Sequence, residues 1–411
     1  MGTLANKRLL LGVTGGIAAY KAAELTRRLR ARGADVRVVM TRAATEFITP
    51  LTLQALSGHP VRLDLLDADG EAGMGHIQLA RWADLVLVAP ASADFLARLA
   101  QGRAEDLLSA LCLASEATVA VAPAMNQAMW RNPATRANLE RLVVQDIAVW
   151  GPDEGAQACG ETGPGRMLEP EALAERAAAL FQTGALDGLE VMVTAGPTWE
   201  ALDPVRGLTN RSSGKMGYAV AVAAMEAGAR VRLVSGPTAL PDPERVETIR
   251  VASARQMHDA VLARVRDAHI FIGVAAVADY RPARVAPEKI KKTGERLTLE
   301  LVRNPDILAA VAALDPAPYT VGFAAETEDL EAHARAKLRA KGLDLIAANP
   351  VGGREGGFEA DTNRLTLIDA HGQVTRLPLQ SKARLARCLI QEIAQRYHAR
   401  HRTEDPGRAH R

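Results

Sequence analysis

Short apolar runs alternate with longer amphipathic stretches along the chain. Residues 9–13, 36–40, 85–89 and 119–122 are mostly hydrophobic, as expected for strands that are buried on both faces of a parallel sheet. Helix-length stretches separate these runs, and the first, residues 17–32, ends before Gly33, a residue typical of the end of a helix. The alternation predicts an α/β fold built on a doubly wound parallel sheet.

The same alternation starts again in the second half of the chain. An amphipathic helix is predicted at residues 170–181, a short linker at 183–188 and a new strand at 189–194. We therefore expect two doubly wound domains, residues 1–188 and 189–398. The polar stretch 399–411 is expected to be a disordered tail.

The composition excludes several classes of protein. Lys and Arg total 50 against 48 Asp and Glu, so no basic surface for nucleic acid is expected. No apolar run approaches the roughly 20 residues that cross a bilayer, and no signal peptide is recognisable at the start. Three scattered cysteines are too few for a disulfide framework or a zinc site. We expect a cytoplasmic protein with no membrane or nucleic-acid partner.

Small and polar residues follow the predicted strands of the first half. Residues 12–16 form a glycine turn before a helix, and the first N–H groups of a helix can bind an anion. Thr41 follows the second strand, and the run Pro-Ala-Ser-Ala-Asp at 90–94 follows the third. Ser92 or Asp94 is also an ordinary helix cap. Because the carboxyl ends of parallel strands meet at one edge, these segments are expected to form one ligand site.

Three further side chains are candidates for chemistry. Asn126 follows the strand at 119–122 and carries both a donor and an acceptor. His76 lies in a glycine-flanked loop, and a pKa near 6.5 suits proton transfer. Cys159 lies in the glycine-rich run 155–167, which is typical of a mobile lid. Taken alone, each also has an ordinary explanation: a turn asparagine, a surface histidine and an incidental thiol.

The string Pro-Ala-Met-Asn-x-x-Met-Trp at residues 123–130 resembles the substrate-recognition signature of flavin-dependent cysteine decarboxylases. From about residue 7 to residue 397, the chain resembles the bacterial bifunctional enzymes of coenzyme A biosynthesis. These join a phosphopantothenoylcysteine decarboxylase to a phosphopantothenate–cysteine ligase. The resemblance implies an N-terminal flavodoxin-like domain that binds FMN and a C-terminal Rossmann-like domain that binds a nucleotide.

The resemblance also implies roles in the first half. His76 is implied as the catalytic base, Asn126 as the residue that orients the substrate, and Cys159 as the cysteine of a flap over substrate and flavin. Because an unperturbed thiol has a pKa of about 8.5, Cys159 is better suited to donate a proton than to act as a nucleophile. Asp94 stands where the family commonly has Asn, which removes one donor. The implied FMN contacts are Gly15, Gly16, Thr41, Ser92, Ala93, Asp94 and Ala124.

The implied decarboxylation requires an electron acceptor. Loss of CO2 from a cysteine carboxylate leaves an electron pair that the substrate alone cannot accept. Oxidation of the cysteine side chain by FMN to a thioaldehyde provides that electron sink. The flavin then returns a hydride while Cys159 supplies a proton, so that the overall reaction is redox-neutral.

In the second half, the resemblance includes the turn at residues 212–217 and the lysine run at 289–292. It implies that Asn210 stabilises an acyl-nucleotide intermediate and that Lys289 lies on a flap over the nucleotide phosphates, although a lysine run is more often a solvated face. Trp199 stands where the family often has Arg. The other implied nucleotide contacts are Gly273, Val274, Ala275, Asp279, Pro305, Asp306, Ile307, Leu308, Phe323, Lys337 and Lys341.

A ligase must activate a carboxylate before an amine can attack it. The resemblance implies CTP as the co-substrate with Mg2+, no metal ligands being assigned, and 4'-phosphopantothenate and cysteine as the other substrates. It further implies a homo-oligomer.

Two alternative functions are a pyridine-nucleotide reductase and a non-catalytic flavin-binding or electron-transfer protein. The first is disfavoured because neither glycine turn is Gly-x-Gly-x-x-Gly, and the second leaves the whole second half without a purpose.

Overall fold

In a computed structural model the chain forms two compact units, Met1–Phe181 and Gln182–Arg411. The structure describes residues 3–65, 75–292, 295–326, 328–350 and 360–404. The linker at 183–188 packs with the second unit: Leu186 is fully buried in that unit's core and its N–H donates to the carbonyl of Ala227. No helix in the described part of the chain is long and apolar enough to span a membrane.

The first unit contains seven strands and eight α-helices within its described residues. Two 3-10 turns, at Ile17–Tyr20 and Arg42–Glu46, follow β1 and β2. The strands are β1 Arg8–Val13, β2 Asp35–Met40, β3 Leu85–Ala91, β4 Thr118–Pro123, β5 Ala148–Val149, β6 Asp153–Ala156 and β7 Thr162–Arg166. The helices are α1 Lys21–Ala31, α2 Pro50–Ser57, α3 Gly75–Trp82, α4 Ala93–Ala100, α5 Leu107–Ala114, α6 Gln127–Arg131, α7 Pro133–Val144 and α8 Pro170–Ala179.

Five of these strands form a parallel sheet in the order β2-β1-β3-β4-β5. Its two faces are both covered: Leu9 and Leu11 pack with α1 and α8, whereas Leu10 packs with α3, α4 and α5. This is the flavodoxin-like order, and it confirms the expected fold. The chain adds β2 on one side of β1 and then β3 on the other, so the strand order reverses between β1 and β3. Folds of this kind bind ligands beyond the carboxyl ends of the two strands at such a reversal.

Two local expectations for this unit were wrong. The single helix expected at 17–32 is a 3-10 turn followed by α1, a tightening that is common where a helix starts. The loop expected at 155–167 contains an antiparallel hairpin, in which β6 pairs with β7 and Cys159 lies in the connecting turn. Glycines suggested a loop, but cross-strand hydrogen bonds satisfy their backbone groups equally well.

The second unit contains twelve strands and five α-helices within its described residues. The strands are β8 Glu190–Ala195, β9 Glu200–Asp203, β10 Arg206–Leu208, β11 Arg230–Ser235, β12 Glu247–Arg250, β13 Ile270–Gly273, β14 Tyr280–Pro282, β15 Leu301–Arg303, β16 Tyr319–Glu326, β17 Leu345–Pro350, β18 Thr362–Asp369 and β19 Val374–Ser381. The helices are α9 Lys215–Glu226, α10 Ala254–Leu262, α11 Ile307–Ala312, α12 Leu330–Lys341 and α13 Lys382–Glu404.

The main sheet of this unit has the order β12-β11-β8-β13-β16-β17-β18-β19. Its first six strands are parallel, and β18 and β19 add an antiparallel edge. Numbered within the unit, the parallel part runs 3-2-1-4-5-6, the Rossmann order, with the reversal between β8 and β13. The expected Rossmann-like fold is therefore confirmed.

The C-terminal segment begins as part of the core. Helix α13 packs against α9, β18 and β19 through buried residues that include Leu389, Ile393 and Tyr397. Arg400 forms an ion pair with Asp344 at 2.7 Å. Residues 399–404, expected to be disordered, belong to α13. The rest of that predicted tail, residues 405–411, lies outside the described residues.

Candidate active sites

A buried threonine joins the two strand ends at the reversal of the first sheet. The Thr14 hydroxyl, 1% exposed, donates to the carbonyl of Pro90 at 2.8 Å and accepts from the N–H of Ser92 at 2.9 Å. The residues after β1 and the segment at 90–94 are therefore held against each other. The two segments expected to share one ligand site are brought together by this side chain.

The other segments that were expected to contact FMN lie around this junction. Gly15 faces the 3-10 turn after β2, and a Cβ atom at Gly15 would stand 2.5 Å from the Cβ of Ala43. The N–H of Thr41 donates to the carbonyl of Val13, which places Thr41 beside the glycine turn. Its hydroxyl is buried and has no hydrogen-bond partner among the residues that the structure describes, and such a group is costly unless a ligand satisfies it. Gly16 begins the 3-10 turn.

The segment at 90–94 starts helix α4. The Ser92 hydroxyl accepts from the N–H of Phe95 at 3.3 Å and so caps the helix, as the ordinary interpretation predicted. Ala93 is the first residue of α4. Asp94 is exposed and pairs with Arg98 at 2.9 Å. Ala124 N–H donates to the carbonyl of Ala91, which brings the end of β4 to the same edge.

Replacing Thr14 by valine is expected to weaken FMN binding about tenfold and to lower stability by about 1–3 kcal/mol. The change keeps the shape but leaves the partly buried N–H of Ser92 without its acceptor. Flavin fluorescence during titration of FMN into apoprotein, together with urea unfolding, measures both effects. Thr14→Ser keeps the hydroxyl and is the matched control. Equal behaviour of the valine and serine variants would contradict this role.

Asn126 and Cys159, far apart in sequence, are hydrogen-bonded in the first unit. The Asn126 side-chain oxygen accepts from the N–H of Ala128 at 2.7 Å and caps α6. Its Nδ2 donates to Cys159 Sγ at 3.4 Å, to Glu161 Oε2 at 2.8 Å and to Gln157 Oε1 at 3.3 Å. The hairpin turn between β6 and β7 therefore places an exposed thiol beside the side chain expected to orient the substrate.

The glycines of this hairpin allow it to approach the Asn126 turn closely. A Cβ atom at Gly165 would lie 2.3 Å from the carbonyl oxygen of Met125, and one at Gly163 would lie 2.2 Å from Gln127 Oε1. The carbonyl of Gly165 accepts from the N–H of Met125 at 2.9 Å. In this structure the glycines provide close packing between two segments, a purpose that their number alone did not indicate.

His76 is the second residue of α3 and is half-buried. The expected loop placement was wrong for His76 itself, whereas residues 73–74 of that loop lie outside the described residues. In the described part of the chain, no hydrogen bond joins His76 to Asn126 or Cys159. The structure therefore joins two of the three residues expected to act on the cysteine substrate by a direct hydrogen bond.

The second unit has a cavity of about 460 Å³ beyond the ends of β8 and β13. It lies at the reversal of the Rossmann sheet, where such folds bind nucleotides. Ten of the positions expected to contact a nucleotide line it: Gly273, Ala275, Asp279, Pro305, Asp306, Ile307, Leu308, Phe323, Lys337 and Lys341. Val274 packs toward the core of the unit and is not part of the lining.

The two lysines of α12 reach this cavity from successive turns of the helix. Lys337 Nζ donates to the carbonyl of Phe323 at 2.9 Å, and Lys341 pairs with Asp306 at 2.8 Å. Burial and the neighbouring charge of Lys341 lower the pKa of Lys337, although Glu326, Asp306 and Asp279 act in the opposite direction. Burial acts to raise the pKa of Asp306, but the hydrogen bond from Lys341 and the N–H of Ala309 outweigh it, so that this pKa is lowered.

Several lining residues were missed by the sequence analysis, including Thr194, Tyr280 and Arg303. Thr194 is buried, and its hydroxyl accepts from the N–H of Ala275 at 3.2 Å. It therefore joins β8 to the segment after β13, as Thr14 joins β1 to the segment after β3. The sequence does contain a signal for this shared role. Residues 13–16 read Val-Thr-Gly-Gly and residues 193–196 read Val-Thr-Ala-Gly, so that a threonine precedes the glycine turn in both units.

Asn210 and Lys289 are not part of the cavity lining. Asn210 Nδ2 donates to the carbonyl of Ala276 at 2.5 Å, and its side-chain oxygen accepts from the N–H of Ser212 at 3.0 Å. Asn210 thus connects the turn before α9 to the segment that follows β13. Lys289 is exposed. Its place on an exposed segment fits the expected phosphate flap as well as it fits a solvated lysine run.

A buried aspartate anchors the segment that carries Lys289. The Asp203 carboxylate, with a fully buried side chain, accepts from the N–H groups of Ile290, Val205 and Arg206 and pairs with the Arg206 guanidinium at 3.1 Å. Burial acts to raise its pKa, but these N–H groups and the charge of Arg206 outweigh burial and lower it. The residue after Lys289 is therefore fixed to the β9–β10 hairpin.

We expect Asp203 to stabilise the protein at neutral pH and to lose this effect in acid. Because its pKa is lowered in the folded state, the contribution is present above the ordinary value of 3.8 and is lost as the pH falls through the folded-state value. Urea unfolding of the wild type and Asp203→Asn between pH 3 and 7 measures it. The difference in unfolding free energy should be largest near pH 7 and shrink in acid. A difference independent of pH would contradict the assignment.

Comparison with known proteins decides the family. Residues 2–182 match the family model described as Flavoprotein, and residues 186–397 match the one described as DNA/pantothenate metabolism flavoprotein C-terminal domain. The coenzyme A biosynthesis bifunctional protein CoaBC of Vibrio vulnificus YJ016 is 56% identical over 396 residues, 96% of this chain and 98% of that protein. The chain belongs to this bifunctional family.

Other relatives agree along the full length. The CoaBC protein of Escherichia coli K12 is 56% identical over 97% of this chain and 100% of its own, and that of Bacillus subtilis is 47% identical over 95% and 97%. Among solved structures, the C-terminal domain of a CoaBC protein is 42% identical over 52% of this chain and 97% of its own, with a TM-score of 0.45.

The comparisons confirm the main functional expectation. The chain is a bifunctional enzyme of coenzyme A biosynthesis, with a decarboxylase and a ligase in one polypeptide, and its first half is a flavoprotein. The two alternatives, a pyridine-nucleotide reductase and a non-catalytic electron-transfer protein, are not favoured. Within the described residues, no group of three or more His, Cys, Asp or Glu side chains is placed to hold a metal ion.

Proposed function

We propose that the first unit, within residues 1–188, converts 4'-phosphopantothenoylcysteine to 4'-phosphopantetheine. The observation that carries this proposal is the hydrogen bond of 3.4 Å between Asn126 Nδ2 and Cys159 Sγ. It places a donor that can bind a carboxylate or an amide next to a thiol that can give a proton. A decarboxylase for a cysteine derivative needs both groups at one end of its substrate.

The residues at the β1–β3 edge fit FMN. The Thr41 hydroxyl, which has no hydrogen-bond partner among the described residues, supports a flavin contact at this edge, beside Gly15, Gly16, Ser92, Ala93 and Ala124. Asp94 is a weaker candidate because its carboxylate is exposed and paired with Arg98. The bound flavin supplies reversible hydride acceptance, which gives the substrate an electron sink during loss of CO2.

The side chains of this chain then bind the substrate and move protons. Asn126 Nδ2 holds the substrate carboxylate and fixes the cysteine end. His76 accepts a proton as the substrate is oxidised, because an imidazole nitrogen can act as a general base. Cys159 returns a proton in the final reduction, since its S–H group is a proton donor.

We propose that the second unit, within residues 189–398, joins 4'-phosphopantothenate to cysteine with CTP. A carboxylate oxygen is a poor leaving group, so the reaction passes through an acyl cytidylate that the cysteine amine attacks. The 460 Å³ cavity receives the nucleotide, and Lys337 and Lys341 meet its phosphates. Asn210 stabilises the acyl cytidylate, and Lys289 meets the charge that develops as pyrophosphate departs.

Mg2+ is the metal that we propose to accompany CTP. Mg2+ commonly binds through one or two carboxylates and substrate phosphates, and Asp279 and Asp306 are the carboxylates of the cavity. Asp306 is already paired with Lys341, which favours Asp279 as the protein ligand. Omission of Mg2+ should therefore stop pyrophosphate release without affecting CO2 release.

Assembly into a homo-oligomer and a cytoplasmic location are further parts of the proposal. Leu113, Val143 and Val144, of which Val144 is 84% exposed, are candidate residues for contact between copies of the first unit. Light scattering of the purified protein measures the assembly state.

One preparation tests both proposed reactions. The visible spectrum of the purified protein should show bound FMN, and CO2 release from 4'-phosphopantothenoylcysteine should follow. Pyrophosphate release from CTP and 4'-phosphopantothenate, with and without cysteine, measures the ligase. Absence of either release from protein that holds FMN and is folded would overturn the corresponding half of the proposal.

A further inference from the structure

The hairpin that carries Cys159 places a carboxylate on the amide of Asn126. Glu161 Oε2 accepts from Asn126 Nδ2 at 2.8 Å and from Gln127 Nε2 at 3.2 Å. These two hydrogen bonds, with a smaller one from the Cys159 thiol, outweigh desolvation and lower the pKa of Glu161. Glu161 is therefore an anion at neutral pH, and it occupies the donor that we assign to the substrate.

Only the Nδ2 group of Asn126 is available to bind a ligand. Its side-chain oxygen is used to cap α6 through the N–H of Ala128. Its Nδ2 can only donate, and in this structure it donates to a carboxylate. The substrate of the proposed decarboxylase also carries a carboxylate, the group that it loses as CO2. The Glu161 carboxylate thus accepts the hydrogen bond from Asn126 Nδ2 that we assign to the substrate carboxylate.

We infer that Glu161 is a positioning residue of the decarboxylase, which holds Asn126 until the substrate carboxylate displaces it. This inference rests on the proposed function of Asn126. Two carboxylates at one amide repel each other, so substrate binding moves Glu161 into the solvent to which it is already exposed. When CO2 has left, the product has no carboxylate, and Glu161 returns to Asn126.

The turn that carries Glu161 does not depend on its side chain. The N–H of Gln157 donates to the carbonyl of Glu161 at 2.8 Å, and the N–H of Gly160 donates to the carbonyl of Gln157 at 2.9 Å. Substitutions of the Glu161 side chain keep these backbone bonds. They therefore test the carboxylate and not the hairpin.

The test is the rate of CO2 release against substrate concentration for the full-length, FMN-loaded enzyme. Glu161→Gln should lower KM about three- to fivefold, because a neutral acceptor competes less well than a charged one. Glu161→Ala should lower it at least as far, with kcat within about twofold of the wild type in both. Inhibition by 4'-phosphopantetheine, which has no carboxylate, should not change. Glu154→Gln, another exposed glutamate of the same hairpin, is the matched control.

An unchanged or higher KM in the Glu161 variants would overturn the inference. An equal change in the affinity for the product would do the same, because it would show a general effect on the site. In an Asn126→Ala background, Glu161→Gln should have no further effect on KM. If Asn126→Ala does not raise KM, the proposed role of Asn126 is wrong and the inference fails with it. If it does raise KM and Glu161→Gln does not lower it, only the inference is wrong.

Discussion

Replacing Lys289 by glutamine is expected to abolish or slow pyrophosphate release by at least about a hundredfold, because a charge aimed at the transition state contributes mainly to turnover. CO2 release from added 4'-phosphopantothenoylcysteine should be unchanged. Lys289 belongs to the second unit, whereas Asn126 and Cys159 belong to the first. The anchor at Ile290 does not involve the lysine side chain, so the segment should stay in place. Parallel assays of pyrophosphate and CO2 on one preparation measure the effect.

The matched control is Lys291→Gln, an exposed lysine two positions further along. It removes the same charge from the same segment and should retain most of the ligase activity. If Lys291→Gln is as inactive as Lys289→Gln, the segment acts through its total charge and not through one positioned lysine. If Lys289→Gln impairs CO2 release as strongly as pyrophosphate release, the assignment of the two reactions to separate sites is wrong.

Cys159→Ser is expected to retain FMN and to release CO2, but to form 4'-phosphopantetheine at least about a hundredfold more slowly, the scale of a lost general acid. A serine hydroxyl is a much weaker acid than a thiol. The hydrogen bond from Asn126 Nδ2 can still reach a hydroxyl oxygen at this position. CO2 and product, measured together over a single turnover, should therefore separate.

His76→Asn should behave differently, because it removes the proposed base of the earlier step. The substrate should then fail to bleach the flavin absorbance, and neither CO2 nor product should form. Cys388→Ser, at a half-buried cysteine of the second unit, is the control for loss of a thiol. Equal loss of CO2 and product in Cys159→Ser would contradict the proton-donor role.

The strand pattern was sufficient to predict two doubly wound α/β domains, and the resemblance added their flavodoxin-like and Rossmann-like types. Buried parallel strands are recognisable as apolar runs, and the side chains that follow them meet at one edge by topology alone. This explains why Thr41 and Ala124 were expected at the sheet reversal beside which the structure places them, whereas Asp279 and Lys337 were expected from the resemblance. The spacing of Lys337 and Lys341 on one helix face was also readable, since residues four apart are neighbours.

The contacts between distant segments could not be read in the same way. The sequence places Asn126 and Glu161 35 residues apart, and only the hairpin β6–β7 brings them to 2.8 Å. Four glycines at 155–165 were taken to indicate mobility, whereas Gly163 and Gly165 allow close approach to another segment. The anchoring role of Asp203 has no local signal in the sequence, because Ile290, whose N–H donates to it, is 87 residues away. Long-range partners of this kind have no local pattern.

In the proposed nucleotide site, the pair of lysines on α12 should couple binding of the nucleotide to binding of protons. In the free protein Lys337 is desolvated and lies near a second cation, so its pKa is lowered. A bound polyanion reverses this balance and makes the charged ammonium favourable. By linkage, the proposed binding of the triphosphate raises the pKa of Lys337, and this binding should weaken as alkaline pH deprotonates Lys337. In that alkaline range, the proposed ligase site should take up hydrogen ions from the solvent as it fills.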